Sequence, residues 1–327
     1  MEQFKKYLAD LDAITTTVQM DGKKEYIQPS LKNAANLSIV LIREAIAPVI
    51  FRNAEEEITD IDINGQSHVR GVPNKFKYPE KGRGLQVLRA LGVGGKHSQN
   101  KTVLLKGEKP SQAYDLNTLV FGDSVVQDGR VLSVKAAVNY SDALSIERKE
   151  LCVDSSFHNA AAEDGSLFDS EVKKNSNSLF TRHFIRPNTL MVQVISTRGK
   201  LLPMIGLDHL LLSIGVAGAY GGQTSVTGTN IKTHVVGIYG GTYESALCSP
   251  YELVKLFGGE NSLSVEQVKD KIHTELSGVY RDNLNSDAVE NHITQLLHDF
   301  DNNNLDKSYQ ESKPVIDNYF DSWFGSK

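Results

Sequence analysis

Sixteen cations in two acid-poor stretches are the first residues in this chain that suggest chemistry. Residues 65 to 110 carry ten bases (Arg70, Lys75, Lys77, Lys81, Arg83, Arg89, Lys96, Lys101, Lys106 and Lys109) against two acids, Glu80 and Glu108. Residues 173 to 200 carry six (Lys173, Lys174, Arg182, Arg186, Arg198 and Lys200) and no acid. Elsewhere the sign reverses: 111 to 172 holds four bases and eleven acids, and 250 to 327 holds seven and fourteen. The net charge of −5 is thus the sum of a polarised distribution. One basic cluster alone reads equally well as a solvated face. Two of them, near Gly-rich connections, point to a groove for a polyanion. Opposite charge sectors would also let identical copies stack head to tail.

The second chemically suggestive feature is glycine: eight of them (215, 218, 221, 222, 228, 237, 240 and 241) fall between residues 215 and 241. They supply tight turns, and they also leave bare backbone that a sugar-phosphate chain can approach closely. The run GVAGAYGG follows a helix pattern and precedes a strand pattern, the reverse of the strand-glycine-helix order of a dinucleotide fingerprint. A P-loop fails too, because Gly95-Lys96 is followed by His97 instead of Ser or Thr. Cys152, His158 and His183 match no standard zinc spacing, so no metal site is assigned. Glu55, Glu56, Glu57, Asp60 and Asp62 form an acidic loop ahead of the first basic zone. As a solvated loop it limits where a polyanion lies; beside a bound strand its carboxylates could instead position a metal or accept a proton during phosphodiester cleavage.

The elements that must position these groups follow from periodicity. The Ile- and Val-rich run from 35 to 52 predicts a long strand, and Leu85, Val87, Leu88 and Leu91 predict a short helix over 84–92 stopped by glycines. Residues 102–106 and 116–121 suggest two short strands or one broken strand. Clean alternation over 130–140 predicts another strand. A polar stretch from 141 to 187 is too long for an ordinary connection and predicts a functional arm. Strand 189–197, helix 203–216 and strand 233–239 complete a strand-helix-strand-strand-helix-strand order, that of ferredoxin-like RNA-recognition folds. In the tail, Ser249 with Glu252 and Ser264 with Gln267 predict capping boxes, followed by helical spacing at Val265–Val279 and Val289–Phe300.

With 327 residues, 40% of them apolar and 23% charged, the chain suits one elaborated domain or two compact ones. No apolar run approaches the length of a membrane helix, and MEQFKKYLAD lacks a signal-peptide apolar region, so a cytoplasmic protein with no membrane partner is expected. Two cysteines far apart exclude a disulfide framework.

Taken together, KGRGLQVLRALG (81–92), FGDSV (121–125), RVLSVKAAVNYSDAL (130–144), LFTRHFIRPNTLMVQV (179–194) and GVAGAYGGQTSVTGTNIKTHVVGIYGG (215–241) resemble the Cas-seven type backbone subunit of type I-D CRISPR Cascade. The order of these motifs across residues 35 to 245 is more specific than any single one. The resemblance implies an α+β, modified RNA-recognition (ferredoxin-like) fold with inserted thumb and lid lobes and an α-helical C-terminal lobe. On this reading residues 1–248 are the core, with a basic loop and helix at 65–110, the thumb-like arm at 141–187 and the Gly-rich loop at 215–241. Residues 249–327 form the acidic helical lobe.

The resemblance further implies a multi-copy subunit of an antiviral effector complex, repeated in a helical filament along a CRISPR RNA. Its partners would be that RNA, target DNA or RNA paired to the guide, copies of itself and the other type I-D subunits. Arg70, Lys75 and Lys77 belong to the basic zone, and Lys81, Arg83 and Arg89 resemble the helix start that grips guide phosphates. Gly218, Gly221, Gly222, Gln223 and Thr224 resemble the Gly-rich loop along the guide. Arg182, His183, Phe184 and Arg186 fall at the return of the thumb, whose Phe would wedge between bases. Type III relatives place a catalytic aspartate after the first strand, where Asp60 and Asp62 lie here. RNA binding of this kind needs no cofactor; a divalent metal enters only if the subunit is a metal-dependent endonuclease that cleaves the bound single-stranded target at regular intervals.

Overall fold

The computed structural model describes residues 1–27, 33–51, 58–95, 103–159, 168–169, 174–175, 179–221, 228–258 and 260–325. Gly222, Gln223, Thr224, Lys96, Lys101, Lys173 and Glu55 to Glu57 lie outside them. In chain order, a short 3-10 turn leads to the hairpin of β1 (Thr16–Met20) and β2 (Lys23–Ile27), then to β3 (Asn36–Ala45). The hairpin of β4 (Asp60–Ile63) and β5 (Gln66–Gly71) runs into α1 (Asn74–Ala90). Next come β6 (Val103–Leu104), α2 (Leu116–Phe121), β7 (Asp123–Gln127), β8 (Arg130–Val134), β9 (Val138–Tyr140), β10 (Ala143–Ser145) and α3 (Lys149–Cys152). An excursion through β11 (Val153–Asn159), β12 (Phe168–Asp169), β13 (Lys174–Asn175) and β14 (Leu179–Ile185) returns to β15 (Leu190–Thr197), α4 (Met204–Val216) and β16 (Ile231–Gly241). The chain closes with α5 (Pro250–Lys255), α6 (Val265–Ser277), β17 (Asp282–Asn285), α7 (Ser286–Asp301) and α8 (Asp306–Gly325).

The main sheet is antiparallel throughout and runs β17-β16-β3-β15-β10-β5-β4, with β9 pairing a further stretch of β15. Its central strand explains its own sequence. Leu37, Ile39 and Leu41 join the core on one face and Val40 and Ile42 the core on the other. A strand covered on both faces becomes a near-continuous apolar run instead of an alternating one. Helices α1, α2, α4 and α7 cover the first face; α5 and α6 cover the second, packing on β10, β15 and β16. The acidic tail therefore straddles the sheet, adding β17 to its edge between α6 and α7. Among the described residues no helix is long and apolar enough to cross a membrane.

Five local expectations change. The helix expected over 84–92 begins ten residues earlier, at Asn74, despite Pro79, Gly82 and Gly84. Gly84 is required by packing: a Cβ there would sit 2.4 Å from Asn117 Oδ1, 2.5 Å from Ser213 Oγ and 2.9 Å from His209 Nε2, so α1, α2 and α4 meet only because it has none. Residues 116–121 form a helix, because Asp115 accepts from Thr118 N as an N-cap, which outweighs the β-propensity of Thr118 and Val120. The 130–140 strand is two: β8 pairs with β7 in a small satellite sheet, and β9 joins β15. Ser249 makes no side-chain cap bond, whereas Ser264 and Gln267 form their capping box. Residues 141–187 also divide, since β10 lies inside the main sheet and only β11 and β14 leave it as a ribbon, tied at its base by the Val49–Ile185 bridge.

Candidate nucleic-acid interface

Helix α1 is built to show two different faces. Phe76, Glu80, Gly84, Leu85, Val87 and Leu88 are buried. Asn74, Lys77, Tyr78 and Lys81, spaced i, i+3, i+4 and i+7, form a separate stripe that lines a groove of about 460 Å³ together with Lys75, Phe121 and Gly221. The first basic zone and the Gly-rich segment thus meet in one concavity.

Each wall of the groove is held from beneath. Arg43 of β3 and Glu80 of α1, both fully buried, form an ion pair of 2.7 Å. Arg43 also donates to Gln193 Oε1 at 2.9 Å and Thr233 Oγ1 at 2.8 Å, and its guanidinium lies 5.0 Å from the Phe76 ring and 5.7 Å from that of Tyr220. The Tyr140 and Tyr220 hydroxyls donate to Glu80, the latter at 2.8 Å. Burial, then the Glu80 charge, pushes both phenols up, which keeps them donors. Tyr220 is also clamped by its backbone, accepting from and donating to the buried Asn230 side chain at 2.8 and 2.9 Å. The Gly-rich wall is fixed just before Gly221, whose φ of +102° suits glycine and few other residues.

Opposite, Lys81 donates to Gly122 O at 2.7 Å and pairs with Asp123 at 3.1 Å, bracing the turn after Phe121. Lys77 is different. Burial and then the positive charges of Lys81 and Arg198 hold its ammonium below the usual lysine range. Arg198 follows β15, donates to Asn139 Oδ1 at 3.2 Å, and brings the end of the second basic zone to the start of the first. A cluster of cations repelling one another at a half-buried position is stabilised by a bound anion.

Other residues singled out from the sequence lie elsewhere. Arg70 pairs with Asp142 at 2.9 Å, and Asp142 also accepts from Tyr251. Arg83 is exposed and bonds Gln86, and Arg89 is exposed on the last turn of α1. Arg182, His183, Phe184 and Arg186 belong to β14 or its end; Arg186 lines a separate cavity of about 340 Å³ with Glu147, Leu151 and Leu263. Gly218 accepts from Asn230 N and Ile231 N at the stem of the Gly-rich segment.

Asp60 has both oxygens engaged, with Lys149 Nζ at 2.8 Å and Ser67 Oγ at 2.5 Å, and those two bonds hold its carboxyl below the usual range. Asp62 accepts from Gly65 N at 2.9 Å and closes the β4–β5 turn. Among the described residues no three His, Cys, Asp or Glu side chains form a group able to hold a metal ion. Burial pushes the Cys152 thiol up to about 11, so it stands as a protonated core residue.

Of the groove residues that sequence reasoning did not single out, Tyr78 had a signal in the 74-77-78-81 spacing, hidden by Pro79; Arg198, whose charge acts on Lys77, sat in the second basic zone with nothing to mark its destination. The assembly is an α+β protein with a cationic groove suited to a phosphate-rich ligand. A family profile described as Csc2 Crispr matches residues 27–324. The chain belongs to the Csc2 family, the Cas-seven type subunit of type I-D Cascade, as the motif order suggested.

Comparison with solved structures gives a Thermofilum pendens Csc2 crystal structure at TM-score 0.61 and 14% identity, covering 99% of this chain and 96% of that one. That likeness shows the shared fold. A CRISPR RNA-guided surveillance complex, pre-nicking, gives TM-score 0.49 and 8% identity over 76% of this chain and 90% of that one. Another CRISPR RNA-guided surveillance complex gives 0.48 and 13% over 75% and 85%. A search of curated protein sequences found no match.

Proposed function

We propose that this chain is a multi-copy backbone subunit of a type I-D CRISPR effector complex in the cytoplasm. It holds CRISPR RNA by its phosphates along the α1 groove and presents the bases for pairing with target nucleic acid. The carrying observation is the groove that Lys75, Lys77 and Lys81 share with Gly221, with Arg198 near enough for its charge to act on Lys77. Cations that displace counterions from a backbone bind without regard to sequence, and base pairing between guide and target then supplies specificity.

The strand order supports a modified RNA-recognition fold: β16, β3, β15 and β9/β10 stand in the split βαβ order, with α1 and α4 on the two crossovers. The sheet face opposite those helices, which an unmodified RNA-recognition module offers to RNA, carries α5 and α6 here. The guide therefore runs beside α1 instead of across the sheet. The ribbon of β11 and β14 is the thumb-like arm, with Arg182, His183, Phe184 and Arg186 at its return reaching the guide on a neighbouring copy. Binding itself needs no metal.

Protein purified from its host is expected to carry short RNA of uniform length, released by phenol and visible as a single band. Protein free of RNA, or carrying a continuous smear of lengths, would overturn this reading.

A further inference from the structure

We propose that Tyr78 is a stacking platform, so that the groove is a nucleotide subsite in which one base lies on the Tyr78 ring while the adjoining phosphate lies among Lys77, Lys81 and Arg198. This rests on the proposed RNA binding and specifies how one nucleotide is held.

Tyr78 is 73% exposed even though it lines a concavity. An exposed aromatic ring beside cations offers a face on which a base can stack, as in sites that bind single strands. Its neighbours in the groove are cationic: Lys77 precedes it in sequence, Lys81 follows three residues later, and residues at that spacing lie roughly 5–6 Å apart on a helix surface. A ring and an ammonium separated by one helical turn can meet the base and the phosphate of the same nucleotide.

Two further features favour this ligand class. Lys81 is paired with Asp123, but the charges that act on Lys77 are those of Lys81 and Arg198 and no acid, so the Lys77 ammonium is the one an anion from outside would complete. The platform is also preorganised, because Pro79 restrains the backbone directly beside Tyr78 and the buried Phe76 and Glu80 anchor the same turn. At about 460 Å³ the groove falls within the ~300–1,000 Å³ of sites that take small ligands. Among the described residues the other well-exposed aromatics, Phe157 and Tyr243, do not line it.

Stacking on an aromatic tolerates any base but requires a base to be present. The test is a fluorescence-anisotropy titration of the full chain with a uridine-bearing RNA oligomer and with an abasic oligomer of the same length. Tyr78→Ala is expected to weaken the base-bearing strand on the order of tenfold and to leave the abasic strand unchanged, while Tyr78→Trp retains wild-type preference. Equal loss on both strands, or loss on neither, would overturn the platform while the wild-type protein still bound RNA. Wild-type protein binding neither strand would overturn the RNA-binding reading itself. Because the side chain is mostly exposed, circular dichroism of both variants should match wild type.

Discussion

Glu80→Ala lowers the stability of the folded chain by about 3–5 kcal/mol, measured as a shift in urea unfolding, because it strands the Arg43 guanidinium in the interior. The pair lies at 2.7 Å with neither side chain exposed. Arginine does not neutralise itself by losing a proton, so removing the carboxylate leaves a buried charge facing the neutral oxygens of Gln193, Thr233 and Tyr220 and two aromatic faces. Tyr140 and Tyr220 lose their acceptor in the same step. The companion variant Arg43→Met with Glu80→Leu removes both charges and is expected to recover much of the loss, as apolar replacement of buried pairs does elsewhere. A change below about 1 kcal/mol for Glu80→Ala would mean that the pair behaves like an exposed one and does not brace the groove. The brace ties β3, α1 and the Tyr220 segment, so the same variant should also weaken RNA binding.

Lys77→Ala combined with Arg198→Ala is expected to flatten the dependence of RNA affinity on salt. Each phosphate contact to a single strand contributes about 0.7 to the slope of log K against log salt, so losing two reduces it by roughly 1.4. Affinity falls for every base sequence alike, since phosphates carry no sequence information. Stability should hold or rise, because Lys77 is repelled by its neighbours and partly withdrawn from water in the unliganded protein. The matched control is Lys106→Ala with Lys109→Ala, two exposed lysines of the same basic zone that do not line the groove. If that control flattened the slope as much and the groove pair did not, the guide would run elsewhere on the zone.

The parts of this fold legible in the sequence were those with one dominant local signal. The Ile- and Val-rich run around Ile39 to Ile42 announced the central strand, the apolar run TLMVQVIST at 189–197 a second, and Leu207, Leu210, Leu211 and Ile214 the helix α4. Legibility failed where tertiary contact reverses a local preference. Pro79, Gly82 and Gly84 argue against a helix, yet Gly84 is what allows α1 to reach Asn117, Ser213 and His209. Thr118 and Val120 favour a strand until Asp115 supplies the cap.

For the site, composition marked both basic zones but not their partition. Arg198, just past β15, lies near enough to Lys77 for its charge to act there, whereas Arg182 and His183 of the same basic zone leave on the ribbon. Arg70 counted toward the basic zone, but its charge meets Asp142. Charge counting along a chain cannot distinguish a cation facing a ligand from one facing an internal acid. Only the antiparallel register does.

Photo-crosslinking of a bound RNA carrying 4-thiouridine, read by mass spectrometry of the RNA-bearing peptides, tests the groove most directly. Crosslinks are expected in the peptides that contain Lys75 to Lys81, Arg198 and Gly218 to Gly221. Crosslinks confined to α5 and α6 would place the guide across the covered sheet face and contradict the account.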